Sequence, residues 1–77
     1  MLEREVKVNN KYRHFKGHLY VVIAIGKDCE DLSEKVIYKN VDNGEVWVRD
    51  KDDFLSLVDK EKYPLVKQKY RFELCEE

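Results

Sequence analysis

The sequence predicts an all-β domain, a small and strongly bent barrel of about five short strands with one short helical turn. Three observations carry that prediction. The chain has 77 residues, room for a single domain (1–77) and a thin core. Its longest apolar run, Leu19-Tyr20-Val21-Val22-Ile23-Ala24-Ile25, is rich in β-branched residues and too short for a helix to be preferred. An Asp42-Asn43-Gly44 turn separates two further β-prone runs. Closure into a barrel follows because it removes the exposed edges that several short strands would otherwise present.

Taken in order, Lys11 to Phe15 is aromatic and β-prone, and Lys16-Gly17-His18 supplies a turn into Leu19–Ile25. That run is closed by Gly26 and reads as a buried strand, so the two runs make a hairpin. The acidic stretch Lys27 to Lys35 is a loop. A second hairpin joins Val36–Val41 to Glu45–Arg49, and Asn-Gly is the preferred pair for a two-residue type I′ turn. Such a turn sets Val41 opposite Val46, Asn40 opposite Trp47, Lys39 opposite Val48 and Tyr38 opposite Arg49. Ile37, Val41, Val46 and Val48 then read as the core face, and Tyr38, Trp47 and Arg49 as a face for binding. A three-residue turn would put Val41 opposite Glu45 and mix the faces. Downstream, Asp50 and Asp52 are candidate N-caps of a helical turn whose apolar side is Phe54, Leu55 and Val58. Lys60 to Pro64 is a polar break, and the last strand lies in Leu65 to Leu74, through Tyr70-Arg71-Phe72.

Composition excludes several classes. Charged residues make up 40% of the chain and no apolar run approaches the ~20 residues of a membrane span. Met1-Leu2-Glu3-Arg4-Glu5 carries acids early and lacks the apolar core of a signal peptide, which points to the cytoplasm. One Pro and three Gly, with no low-complexity tract, argue against disorder. Fifteen Lys and Arg against sixteen Asp and Glu give a net charge of −1, but the charge is not evenly spread. Residues 1–27 hold six bases and two acids, whereas residues 28–53 hold nine acids and four bases. Mutual attraction within the fold accounts for that asymmetry; the functional alternative is a basic surface near Lys11, Arg13, Lys16 and Lys27. Cys29 and Cys75 lack a C-x-x-C spacing and read as free thiols.

Among candidate chemistries, His14 with Glu30 or Asp31 would make a general base, yet Ser33, Ser56, Cys29 and Cys75 sit in no nucleophile motif. His14 and His18 lack nearby cysteines for zinc, and Asp50, Asp52 and Asp53 lack calcium-loop spacing. No Gly-rich phosphate loop is present. We therefore assign no catalytic residue, no metal and no cofactor. An aromatic and basic constellation remains: Tyr12, Arg13, His14, Lys16, Tyr38, Trp47 and Arg49. Rings and guanidinium groups together suit a ligand with π faces and negative charge. The competing reading is that the aromatics fill a core short of aliphatic residues while the arginines pair with the acidic middle. Phe15 goes to the core on that reading; Trp47 and Arg49 stand open between the two.

Tyr12-Arg13-His14-Phe15-Lys16-Gly17 followed by Tyr20 resembles the opening Y-R-H-[FY]-K-G-x-x-Y signature of domain of unknown function 1653. Glu30 with Val36-Ile37-Tyr38, Trp47-Val48-Arg49 with Phe54, and Arg71-Phe72 are similar to its later blocks, so the resemblance spans residues 11–73. Asp50 stands where the family usually has Pro, and Lys27-Asp28-Cys29 replaces its A-x-H-[ST]. The resemblance implies an SH3-like barrel of bacteria and their phages, with no established activity. The expected function is a non-catalytic binding module for a nucleotide, single-stranded nucleic acid or phosphorylated small molecule. The alternatives are a protein- or peptide-interaction module of SH3-like type and a small hydrolase working through His14 and Glu30.

Overall fold

The computed structural model describes residues 5–75, so the leader reading of Met1 to Glu5 lies, but for Glu5, outside the described residues. In chain order the elements are β1 (Lys11–His14), β2 (Leu19–Lys27), β3 (Glu34–Asn40), β4 (Val46–Asp50), α1 (Lys51–Phe54) and β5 (Phe72–Leu74). The strands pair antiparallel in one sheet ordered β4-β3-β2-β1-β5. The molecule is an all-β small domain with one short helix. Among the described residues hydrogen bonds do not close the sheet, because β4 and β5 lie at opposite ends of the order.

The first hairpin turns as its sequence requires. The His14 N–H donates to the His18 carbonyl at 2.8 Å and the Gly17 N–H to the His14 carbonyl at 2.7 Å. Gly17 has φ of +98°, a left-handed conformation that glycine enters without a steric cost, at the end of a three-residue loop. The pairs Lys11–Val21, Tyr12–Tyr20 and Arg13–Leu19 follow. Tyr12 and Tyr20 thus share one face, while Lys11 and Arg13 lie on the other. Further along β2 the register shifts between Val22 and Ala24. The extra residue rotates the strand, so the run expected to be wholly buried is not: Val22 is fully buried, but Ile23 and Ile25 are exposed.

The second hairpin departs from the expected register by two residues. Tyr38 lies opposite Trp47, Ile37 opposite Val48 and Val36 opposite Arg49. The turn is longer than Asn43-Gly44 alone, because the Asn40 side chain organises it. Its Oδ1 accepts from the Asp42 and Asn43 N–H groups at 2.8 and 3.1 Å, and the Gly44 N–H reaches the Asn40 carbonyl at 2.9 Å. Only Gly44, at φ of +77°, is left-handed here, which rules out a type I′ turn. The shift is even and leaves side chains on their original faces, yet the assignment of those faces is reversed. Val36 and Tyr38 are buried, whereas Val46 and Val48, expected in the core, are 56 and 62% exposed.

The core is aromatic. Tyr12, Val22, Val36, Tyr38, Phe54 and Phe72 form it, with Val6, Tyr20, Leu55 and Leu74 packed against it. Phe54 and Phe72 stack at 4.2 Å, and Phe54 also meets Tyr12 at 5.3 Å and Tyr38 at 5.5 Å. One ring from α1 therefore touches β1, β3 and β5, which holds the sheet bent around it. Asp50 occupies the N-cap position of α1 but makes no side-chain cap; its carboxylate pairs with Lys35 instead. The expected apolar side of the turn is present in Phe54 and Val58, both buried. The last strand is shorter than its sequence run, and Leu65 is 92% exposed.

Candidate functional site

The seven residues of the predicted constellation do not gather on one surface. Tyr12 is 1% exposed, and its hydroxyl accepts from the Lys7 N–H at 2.9 Å. Tyr38 is also core, at 4%. Both are corrections to the binding reading, and their cause is the scarcity of aliphatic core. Arg13 is a third, because the β1 pleat turns it to the outer face, opposite Leu19 and Glu73. Phe15, assigned to the core, is instead half-buried between His14 at 4.4 Å and Tyr63 at 4.9 Å. Lys16 leans toward the same pair of rings, 5.9 Å from Phe15 and 5.8 Å from Tyr63.

His14, Arg49 and Trp47 do lie on the inner face, together with residues that sequence reasoning did not assign to a site. Phe72 is the centre: the His14 ring meets it edge-on at 4.9 Å, Tyr20 at 5.8 Å, and the Arg49 guanidinium lies 5.5 Å from its centroid. Tyr20 packs against Tyr38 at 5.1 Å. Trp47, two residues from Arg49 on β4 and therefore on the same face, is 48% exposed. The Arg49 Nε donates to the Tyr38 hydroxyl at 3.2 Å, and one terminal nitrogen donates to Asp53 at 2.6 Å. Asp53 also lies 4.0 Å from the Arg71 Nε, which donates to the Ser56 hydroxyl at 3.1 Å. The missed residues are Tyr20, Arg71 and Phe72. The Gly17 loop carried a signal for the first of them, since its register sets Tyr20 directly across from Tyr12.

The electrostatics of this group are set by cations. Burial of the imidazole, then the positive charges of Arg49, Lys16, Arg71 and His18, push the His14 pKa down from 6.5 to about 4. His14 is therefore neutral at pH 7, with Nδ1 accepting from the Lys16 N–H at 3.1 Å. As pH falls from 6.5 toward 4 the unfolded chain takes up this proton before the folded one does. Stability that is complete above pH 6.5 is thus lost across that window. Discounted for a partly exposed ring, the expected loss is about 1–2 kcal/mol. Urea midpoints measured between pH 7 and about pH 4 should fall more steeply for the wild type than for His14→Gln; parallel slopes would refute the assignment.

Other candidate chemistry is not assembled. Glu30 follows the far end of β2 from the His14–His18 turn, so the strand separates the two. Asp28 organises that loop by accepting from the Glu30 N–H at 2.8 Å. A cavity of about 590 Å³ is lined by Ser33, Glu34, Asp50, Lys51, Asp52 and Asp53. Within it Glu34 pairs with Lys51, Asp50 with Lys35 and Asp53 with Arg49. Among the described residues no cluster of three or more His, Cys, Asp or Glu side chains is arranged to hold a metal ion. Cys29 and Cys75 are free. No helix among the described residues is long and apolar enough to cross a membrane.

The family described as "Protein of unknown function (DUF1653)" matches residues 10–74, nearly the whole chain. The chain belongs to the DUF1653 family. No curated protein and no solved structure matches it. For this DUF1653 chain the matched span takes in all five strands, α1, and every residue around Phe72, so site and family coincide in extent.

Proposed function

We propose that this DUF1653 protein is a non-catalytic binding module whose inner face, at His14, Tyr20, Trp47, Arg49 and Arg71, receives an anionic ligand bearing a flat ring, such as a nucleotide. The observation that carries the reading is that two guanidinium groups, Arg49 and Arg71, share one carboxylate, Asp53. With Lys16 near by, the group keeps an excess of positive charge beside partly exposed aromatic rings. A phosphate added there restores balance, and a base stacked on Trp47 adds ~1–3 kcal/mol.

The test is an NMR titration with nucleoside phosphates and short oligonucleotides at low and high salt. Binding should move the resonances of His14, Tyr20 and Trp47 and weaken as salt is raised. It should also raise the His14 pKa from about 4, because an anion offsets the surrounding cations. Trp47→Ala should weaken binding roughly tenfold while leaving the fold intact, since the side chain is half exposed. A wild type in which no nucleotide or oligonucleotide shifts any of these resonances overturns the proposal. Salt-tolerant binding of peptides at the same residues would replace it with a peptide-interaction module.

A further inference from the structure

β4 is an edge strand, and its sequence lacks what usually protects an edge. Val46, Trp47 and Val48 are consecutive and 56, 48 and 62% exposed, with no Lys, Pro or bulge among them. The direction of its free backbone groups follows from the ladder. The Asn40 N–H donates to the Glu45 carbonyl at 2.8 Å, so this is a hydrogen-bonded pair. By alternation Tyr38–Trp47 and Val36–Arg49 are hydrogen-bonded too, and the backbone groups of Val46 and Val48 point away from β3.

We infer that β4 is a homodimer interface, pairing antiparallel with β4 of a second copy about a two-fold axis at Trp47. This inference goes beyond the ligand reading, with which it shares Trp47 and Arg49, and it stands on the edge of β4 rather than on a ligand. Chain parity and chemistry select the register together. An axis between two residues would oppose outward-pointing backbone groups with inward-pointing ones, which an antiparallel ladder does not allow without a bulge. An axis at Val46 would set Glu45 opposite Trp47, and one at Val48 would set Val46 opposite Asp50. The Trp47 axis sets Val46 opposite Val48 of the second copy and Glu45 opposite its Arg49, so acid meets base twice by symmetry. The open N–H and C=O groups of Val46 and Val48 are then satisfied across the axis. On the outer face Ile37, which lies beside Val48, extends the valines into one apolar stripe spanning both copies. An unrelated strand would find the same backbone edge, but the self-complementary charges fit a second copy.

Sedimentation equilibrium from micromolar to millimolar protein tests this directly. The wild-type mass should rise from one chain to two, and an isotope-filtered NOE experiment on mixed labelled and unlabelled protein should connect Val46 to Val48 between copies. Val46→Lys and Val48→Lys replace exposed side chains and should each hold the protein monomeric with an unchanged circular dichroism spectrum. Glu45→Arg should weaken association about tenfold by turning both charge pairs repulsive. A wild type that stays monomeric throughout, or a dimer that survives both lysine variants, overturns the inference. Val46 and Val48 lie on the face opposite His14 and Arg49, so nucleotide titration of the Val48→Lys monomer reports on the ligand site alone.

Discussion

Phe72→Ala is expected to cost about 3–5 kcal/mol, a large fraction of the stability of a domain this size. Phe72 is 1% exposed and contacts four aromatic partners, from the parallel stack on Phe54 at 4.2 Å to the edges of His14, Tyr20 and Tyr38. Truncation removes the transfer energy of a buried ring and opens a cavity that four neighbouring rings cannot all collapse into. A domain of this length has on the order of 4–12 kcal/mol to lose. The contact is also topological, because β5 meets β3 and α1 through this side chain rather than through a ladder. Phe72→Leu keeps most of the volume and should cost about 1–2 kcal/mol. Urea denaturation of the two variants checks the ordering. A Phe72→Ala protein destabilised by less than about 1 kcal/mol would mean that the bent sheet does not depend on this ring.

That dependence explains which parts of the fold were legible in the sequence. The first hairpin was, because Gly17 alone fixes its loop and the flanking residues are unambiguous β formers. The second hairpin was legible as a hairpin but not in register. Asn-Gly argued for a two-residue turn, while Asn40, three residues before Asn43, uses its side chain to hold a longer one. The faces were reversed for a separate reason. Alternation rules assign valines inward and charged residues outward, but here tyrosine and phenylalanine occupy the interior and Arg49 lies over one of their rings. Val46 and Val48 are left outside. Nor does a run such as Leu19–Ile25 announce a bulge, since each residue in it suits a strand equally well. Of the candidate site, His14, Trp47 and Arg49 were visible as residue types in a cluster. Arg71 and Phe72 were not, because only the return of β5 beside β1 brings them there.

Arg49 is the residue at which stability and ligand binding separate most clearly. Burial works against its charge, but hydrogen bonds to Tyr38 and Asp53 outweigh that and hold its pKa above the ordinary arginine value. Arg49→Ala leaves the Tyr38 hydroxyl without this donor and Asp53 with Arg71 at 4.0 Å. The expected stability loss is about 1–3 kcal/mol, and anion affinity should fall at least tenfold. Arg49→Lys keeps the charge but not the planar fork, so it cannot serve Tyr38 and Asp53 together and should recover only part of either loss. Asp53→Asn separates the two effects by sign. It removes the carboxylate that Arg49 and Arg71 share, which weakens the fold and frees both guanidinium groups for an incoming anion. A protein that becomes less stable in urea yet binds a nucleoside phosphate more tightly is the expected result. If Asp53→Asn instead lowers affinity in step with stability, Asp53 orients the arginines for the ligand, and the excess positive charge is not what attracts it.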